Sequence, residues 1–175
     1  MSYTSLAVAD ADGILENTYE YKNGHGSAPF IWDALCRKYE LGESYDSWQK
    51  LWETDVPFTP LHYNVMQITL DNCVLRRADM ELLAKCLQIF EKEFHNPQRV
   101  CSLPQQALDI LEAHANGAEF IAWNHTSVCD EWYHVRNEET EEREGYNVLT
   151  GTMHHFVELL PLEELAGKEV GDSSV

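Results

Sequence analysis

The order of the apolar patterns along the chain constrains its fold more than any other feature of the sequence. Alternation of apolar and polar residues, which is typical of strands, occupies the first 22 residues and returns in the last third. Between these parts, apolar residues recur at the spacing of helices. Strands at both ends with helices between them predict an α+β fold. We expect an antiparallel sheet built from an N-terminal hairpin and C-terminal strands, with about four or five helices packed on it.

The first strand pair is predicted around a short turn. Leu6 and Val8 lead into Asp10-Ala11-Asp12-Gly13, and alternation resumes from Ile14 to Tyr21. Asp-Gly between two such runs predicts a type I′ turn, in which both central residues have positive φ. The two aspartates also match a D-x-D metal motif, but a hairpin turn favours aspartate at these positions. We therefore interpret them as turn residues.

Helix signals mark the middle of the chain. Ser27 is predicted to cap a helix that carries Pro29 in its first turn and stops at Gly42. From Leu61 to Leu75 the pattern fits a helix or a strand, and we predict a helix. From Asp79 to His95 the apolar face is the clearest helical stripe in the chain.

A further helix and three strands complete the prediction. Ser102-Leu103-Pro104-Gln105 has the form of a capping box, which opens a helix that ends at Asn116-Gly117. Strands are predicted at Phe120–Val128, Trp132–Val135 and Thr152–Leu160, with a polar connection over residues 137–145. Residues 1–167 are expected to form a single acidic domain, and residues 168–175 a flexible tail.

The chain is strongly acidic. Thirty Asp and Glu residues oppose 12 Lys and Arg residues, so the formal net charge is −18. Such a field repels anions and attracts cationic surfaces, so we expect a basic protein partner and no direct binding of nucleic acid.

The N-terminus has no signal-peptide pattern, and no run approaches the ~18 apolar residues of a membrane span. Five scattered cysteines without a C-x-x-C pair favour reduced thiols. We therefore expect a cytoplasmic protein without a membrane partner.

The acidic residues concentrate toward the C-terminus. Residues 1–88 have a net charge of −6 and residues 89–175 a net charge of −12. The densest stretch lies in the second half, with aromatic residues interleaved. Such a run often forms a solvated loop, but the imbalance of the whole chain favours a surface for a basic partner. The predicted partner-binding residues are Asp130, Glu131, Trp132, Glu138, Glu139, Glu141, Glu142 and Glu144.

Histidines in the same region raise a second possibility, a metal site. Its predicted ligands are His125, Cys129, His134 and His155, with His154 as a substitute for the last. The spacing matches no established zinc pattern, so we expect structural or surface histidines and no cofactor. Cys129 with His125 and Asp130 also has the residue types of a thiol catalyst, although a buried cysteine is the commoner outcome.

These observations predict a non-enzymatic acidic binding protein or inhibitor. It would occlude the basic surface of a nucleic-acid-handling protein such as a nuclease, a restriction complex or a CRISPR effector, including by DNA mimicry. Such a role suits a phage, a mobile element or an immunity protein. The alternative is a small metal-dependent hydrolase using the His/Cys cluster. A third hypothesis is an interaction module whose acidity only provides solubility. The sequence has no G-x-S-x-G, Walker or G-x-G-x-x-G motif.

Overall fold

The N-terminal hairpin forms where the alternation predicts it. A computed structural model describes residues 3–22, 27–70, 72–125, 134–136, 139–140, 143–150 and 155–162 of the chain, with only the backbone described at 134–136 and 143–146. Strand β1 (Tyr3–Ala9) pairs antiparallel with β2 (Leu15–Lys22). Gly13 alone in the turn has a positive φ, of 83°. Asp10 N bonds to Ile14 O at 3.0 Å, so the loop consists of the three residues between them. The predicted type I′ turn is therefore wrong, because a three-residue loop needs left-handed backbone only at its last position.

The sheet joins the two ends of the chain. The remaining strands are β3 (Cys73–Arg76), β4 (Phe120–Asn124), β5 (His134–Arg136), β6 (Arg143–Tyr146) and β7 (His155–Phe156). Five of the strands form one sheet in the order β2-β1-β4-β3-β7, while β5 and β6 form a separate antiparallel pair. Strand β7 is parallel to β3, and every other pairing in the sheet is antiparallel. The sheet is therefore mixed.

Five helices in the described part of the chain complete the α+β fold, which confirms the predicted class. They are α1 (Ala28–Lys38), α2 (Lys50–Glu53), α3 (Pro60–Gln67), α4 (Arg77–Glu93) and α5 (Leu103–Ala115), with a 3₁₀ turn at Tyr45–Gln49 before α2. The main core lies between the helices and one face of the sheet, and Trp123 and Phe90 are its largest fully buried side chains. Within the described residues, no helix has the length and apolar character needed to cross a membrane.

Two predicted helix caps serve a different purpose. Ser27 and Ser102 precede α1 and α5, but neither side chain bonds to the helix backbone. Instead, Gln106 Nε2 donates to Ser27 Oγ at 3.1 Å and to Ser102 Oγ at 3.0 Å, while Gln106 Oε1 accepts from Trp123 Nε1 at 3.1 Å. The capping predictions are therefore wrong, because the hydroxyls are needed to satisfy a buried amide that links α1, α5 and β4.

Several boundaries also differ from prediction. Helix α1 ends at Lys38 rather than near Gly42, since Glu40 adopts a φ of 55° and Leu41 N bonds to Cys36 O at 2.9 Å. The helix predicted over 61–75 ends at Gln67, and Cys73–Arg76 forms β3, because β4 offers the backbone a pairing partner.

The C-terminal strand predictions are also longer than the strands observed. Strand β4 ends at Asn124, and β7 covers two residues of the predicted 152–160 strand. Strand β6 forms partly within the predicted 137–145 connection. The predicted tail, residues 168–175, lies outside the described residues. Pairing partners supplied from distant segments decide these lengths.

Tyrosines join the edge strand β2 to helix α5. The Tyr21 hydroxyl donates to Asp109 Oδ2 at 2.6 Å, and Gln105 Nε2 donates to Asp109 Oδ1 at 2.9 Å. The Tyr19 hydroxyl donates to Glu112 Oε2 at 2.8 Å. Burial, then the bond to Glu112, raises the pKa of Tyr19 to about 12. Burial, then the bond to Asp109, raises the pKa of Tyr21 further.

We expect Gln106→Ala to lower the free energy of unfolding by about 2–4 kcal/mol, because it leaves the buried Nε1 donor of Trp123 and two serine hydroxyl acceptors without partners. Urea unfolding measures the change. Leu108→Ala, on the exposed side of the same helix, is the control and should cost no more than about 0.5 kcal/mol. Equal losses from both variants would show that the amide network does not stabilise the fold.

Stability should fall as the pH rises above about 10, the pKa of an unfolded tyrosine. The folded state keeps both phenols protonated at a pH where the unfolded chain releases their protons. This release of protons stabilises the unfolded state relative to the folded state. Urea unfolding from about pH 9 to pH 12 should show a slope of up to about 1.4 kcal/mol per pH unit from Tyr21. Tyr21→Phe should remove that part of the slope, whereas Tyr45→Phe, at an exposed position, should retain it.

Candidate protein-binding surface

The glutamate run lies at the β5–β6 hairpin. Val135 pairs with Glu144, and Arg136 pairs with Arg143, so the intervening residues connect the two strands. Glu139 is exposed in a turn of this connection. The structure thus places Glu139 and Glu144 in one two-stranded unit. Six other predicted partner-binding residues lie outside the described part of the chain: Asp130, Glu131, Trp132, Glu138, Glu141 and Glu142.

The chain that leaves β6 is anchored to the turn of the N-terminal hairpin. Val148 N donates to Gly13 O at 2.9 Å, and Asn147 Nδ2 donates to Asp12 O at 3.1 Å. A Cβ on Gly13 would clash with Asn147 Oδ1, so both this contact and the turn favour glycine here. Val148 is buried in a small apolar cluster on the sheet face opposite the main core. The acidic hairpin therefore has a defined attachment to the sheet.

A second surface, which the sequence analysis missed, combines exposed rings with acidic residues. We call it the aromatic–acidic patch, and it consists of Trp32, Glu43, Tyr45, Asp46, Trp48, Trp52, Glu53 and Asp55. Trp32 lies 5.0 Å from Trp48 and 5.5 Å from Trp52 between ring centroids, and Tyr45 lies 4.7 Å from Trp48. Tyr45 is 76% exposed and Trp52 is 44% exposed. Large rings in mutual contact thus reach solvent.

The 3₁₀ turn and α2 build this patch from a short stretch of chain. Leu51 is buried and fixes the segment to the core, which turns Trp52 outward. Trp48 Nε1 donates to Asp33 Oδ1 at 2.8 Å, so α1 orients the central ring. The buried Nε1 of Trp32 has no hydrogen-bond partner among the described residues. The signal in the sequence was Tyr45, Trp48 and Trp52 at helical spacing with acids between them.

The patch is negatively charged. Residues 43–55 contain four acidic residues and one basic residue, Lys50. Lys50 Nζ donates to the Leu41 carbonyl at 3.0 Å. All four carboxylate residues are exposed. Exposed aromatic anchors with a charged rim are the composition of a protein interface, and the sign of this rim favours a basic partner.

His125, one of the predicted metal ligands, forms two hydrogen bonds that give it a structural role. His125 Nε2 donates to the Ile68 carbonyl at 2.5 Å, and His125 Nδ1 lies 3.3 Å from Thr4 Oγ1. With Nε2 as the donor, Nδ1 carries the lone pair that accepts from Thr4, so both ring nitrogens of His125 have hydrogen-bond partners in the fold. His155 lies on β7 opposite Cys73, and His134 lies on β5. Cys129 and His154 lie outside the described residues.

The described residues contain neither a metal-ligating cluster nor an exposed thiol, while the candidate catalytic thiol, Cys129, lies outside them. Among them, no group of three or more His, Cys, Asp or Glu side chains could hold a metal ion. Cys36, Cys73 and Cys86 are buried, and Cys101 is partly buried. Burial raises the pKa of the thiols of Cys36 and Cys86, and raises that of Cys101 to about 11. These three thiols are therefore weak nucleophiles at neutral pH.

We expect His125→Ala to lower the free energy of unfolding by about 1–2 kcal/mol, because it removes two hydrogen bonds between distant segments. The zinc content of protein purified without a tag or chelator should not change. Urea unfolding and elemental analysis measure the two effects. His95→Ala, at a 61% exposed side chain, should cost no more than about 0.5 kcal/mol. Loss of stoichiometric zinc from the His125 variant alone would support the metal hypothesis.

Comparison with known proteins finds no match to this chain among protein-family models, curated proteins or solved structures. Function is therefore inferred from the exposure, contacts and charge of the described residues.

Proposed function

We propose that the protein is a non-enzymatic acidic binding protein that occludes a basic surface of a nucleic-acid-handling protein. The partner class includes nucleases, restriction complexes and CRISPR effectors, so the protein would act as an inhibitor or an immunity protein. Occlusion of a phosphate-binding groove by carboxylates is a form of DNA mimicry. The protein itself would not bind nucleic acid, because its net charge of −18 repels phosphate.

The observation that carries this proposal is the aromatic–acidic patch. Tyr45 and Trp52 expose rings that the core does not use, and both contact further tryptophans behind them. Rigid Trp and Tyr side chains supply much of the binding energy in protein interfaces. Lys and Arg of a partner could stack on these rings while pairing with the surrounding carboxylates. A basic surface therefore satisfies both components of the patch.

The acidic β5–β6 hairpin supports the same partner class. Glu139 and Glu144 lie on a two-stranded unit attached to the sheet, within the part of the sequence that has the highest density of carboxylates. A groove that binds phosphate must remain cationic to keep its own function, so an acidic inhibitor meets a stable target. Long-range attraction would raise the association rate at low salt.

The competing hypothesis is that acidity serves solubility alone. The two hypotheses predict different effects on binding when acidic residues at different positions are reversed. A specific acidic surface loses binding only when its own residues are reversed, whereas a generic field responds to any equal change in net charge. The aromatic anchors contribute a part of the binding free energy that does not depend on salt concentration, because salt does not screen the packing of rings.

Affinity capture on the immobilised protein, at about 50 mM and about 200 mM salt, should recover one basic nucleic-acid enzyme that is partly retained at the higher concentration. Affinity for that partner is then measured with variants. Tyr45→Ala should weaken binding by about 30-fold at both salt concentrations, as expected for an anchor residue. Val100→Ala, at another exposed apolar residue, is the control and should have little effect.

The charge component is tested with two matched quadruple variants. Reversal of the hairpin acids to Lys should weaken binding at least about tenfold at low salt; the positions are Glu138, Glu139, Glu141 and Glu142. The control reverses four exposed acids elsewhere: Glu16, Glu20, Glu119 and Glu158. Equal losses in both variants, or capture only of abundant basic proteins that elute together, would contradict specific occlusion.

A further inference from the structure

A basic pocket interrupts the acidic surface at the end of α1. The cavity has a volume of about 320 Å³, and we name it the basic pocket; its principal lining residues are Phe30, Asp33, Arg37, Lys38, Phe94 and Arg99. Three of the 12 Lys and Arg residues of the chain thus converge on one concavity. We propose that the basic pocket binds a small phosphate monoester that carries a flat apolar group. This proposal is independent of the proposed function.

Favourable interaction with a helix dipole does not explain why Arg37, Lys38 and Arg99 all line the same pocket. Arg37 and Lys38 lie in the last turn of α1, where cations interact favourably with the helix dipole. Arg99, however, comes from the connection between α4 and α5 and has no such role. Arg37 and Lys38 form no ion pair with any described residue, although the chain contains 30 acids. The pocket therefore has cationic groups available for a ligand.

Arg99 is held in place before any ligand binds. Its Nη1 donates to Asp33 Oδ2 at 3.1 Å, and its guanidinium lies 5.5 Å from the centroid of the Phe30 ring. The other oxygen of Asp33 accepts from Trp48, which fixes the carboxylate as well. A guanidinium oriented in this way loses little conformational entropy when an oxyanion binds.

The balance of charge in the pocket selects the anion. Three cations and one carboxylate leave a formal charge of +2 among the lining residues. A phosphate monoester carries a charge between about −1.5 and −2 at pH 7, whereas a carboxylate carries −1. A phosphate dianion therefore matches the site better than a carboxylate does.

The volume of the pocket and its two phenylalanine rings favour a particular group beside the phosphate of the ligand. Phe30 and Phe94 supply two aromatic rings, which favour a flat apolar group beside the anion. A volume of about 320 Å³ is at the lower limit for small-molecule sites, so the ligand is a small molecule rather than a polymer. Phenyl phosphate has both required parts and is a suitable probe.

Isothermal titration of the full chain with phenyl phosphate should show saturable 1:1 binding with a Kd below about 1 mM. The double variant Arg37→Gln/Lys38→Gln should weaken it about tenfold, because each exposed charge contributes modestly. Inorganic phosphate and benzoate should each bind at least about tenfold more weakly than phenyl phosphate. These differences test the apolar wall and the dianion separately.

The matched control is Lys22→Gln/Lys85→Gln, which makes the same change in net charge at two exposed residues outside the pocket. Its affinity should stay within about twofold of the unchanged protein. Absence of saturable binding up to about 10 mM phenyl phosphate would overturn the proposal. Equal losses in the two double variants, or equal binding of benzoate and phenyl phosphate, would also overturn it. Circular dichroism verifies that each variant is folded.

Discussion

The pairing of β1 with β4 is the constraint on which the rest of the structure depends. Leu6 pairs with Trp123 and Val8 with Ile121, so segments more than a hundred residues apart form the centre of the sheet. The entropy lost in closing so long a loop must be recovered by burial, and these four side chains are buried. Strand β2 adds to one side of this pair and β3 to the other. The helices then cover the face that carries Trp123.

Polar groups in the core are used to fix this arrangement. The Gln106 amide joins two helices to Trp123, and Asp109 joins α5 to the edge strand through Tyr21. A buried polar network of this kind stabilises one packing of the helices because alternative packings leave its members without partners. Near the surface, Asp33 has a related role, since one oxygen orients Trp48 in the aromatic–acidic patch and the other holds Arg99 in the basic pocket. The two candidate sites therefore share a structural support.

The prediction from sequence was accurate where local pattern and tertiary environment agree. The N-terminal hairpin and the α4 helix follow directly from period-two and helical spacing, and both are present. Residues 61–75 divide between α3 and β3, because β4 supplies a pairing partner that no local pattern contains. The serines that resemble caps bond instead to Gln106, which lies far from Ser27 in sequence. The hydrogen bonds of His125 to Ile68 and Thr4 could not be predicted, because the sequence shows residue types and not their partners.

The sign of the surface charge, the α+β class and the position of the glutamate run follow from composition and from periodicity along the chain. Which aromatic residues reach solvent and which cations lie together depend on tertiary contacts. Trp48 and Trp52 look like core residues in a helical stripe, yet Leu51 occupies the core and Trp52 faces outward. Arg37 and Arg99 lie on separate segments and meet only because the end of α1 packs beside the connection after α4. Exposure and convergence depend on contacts between distant segments, and such contacts are not encoded in local pattern.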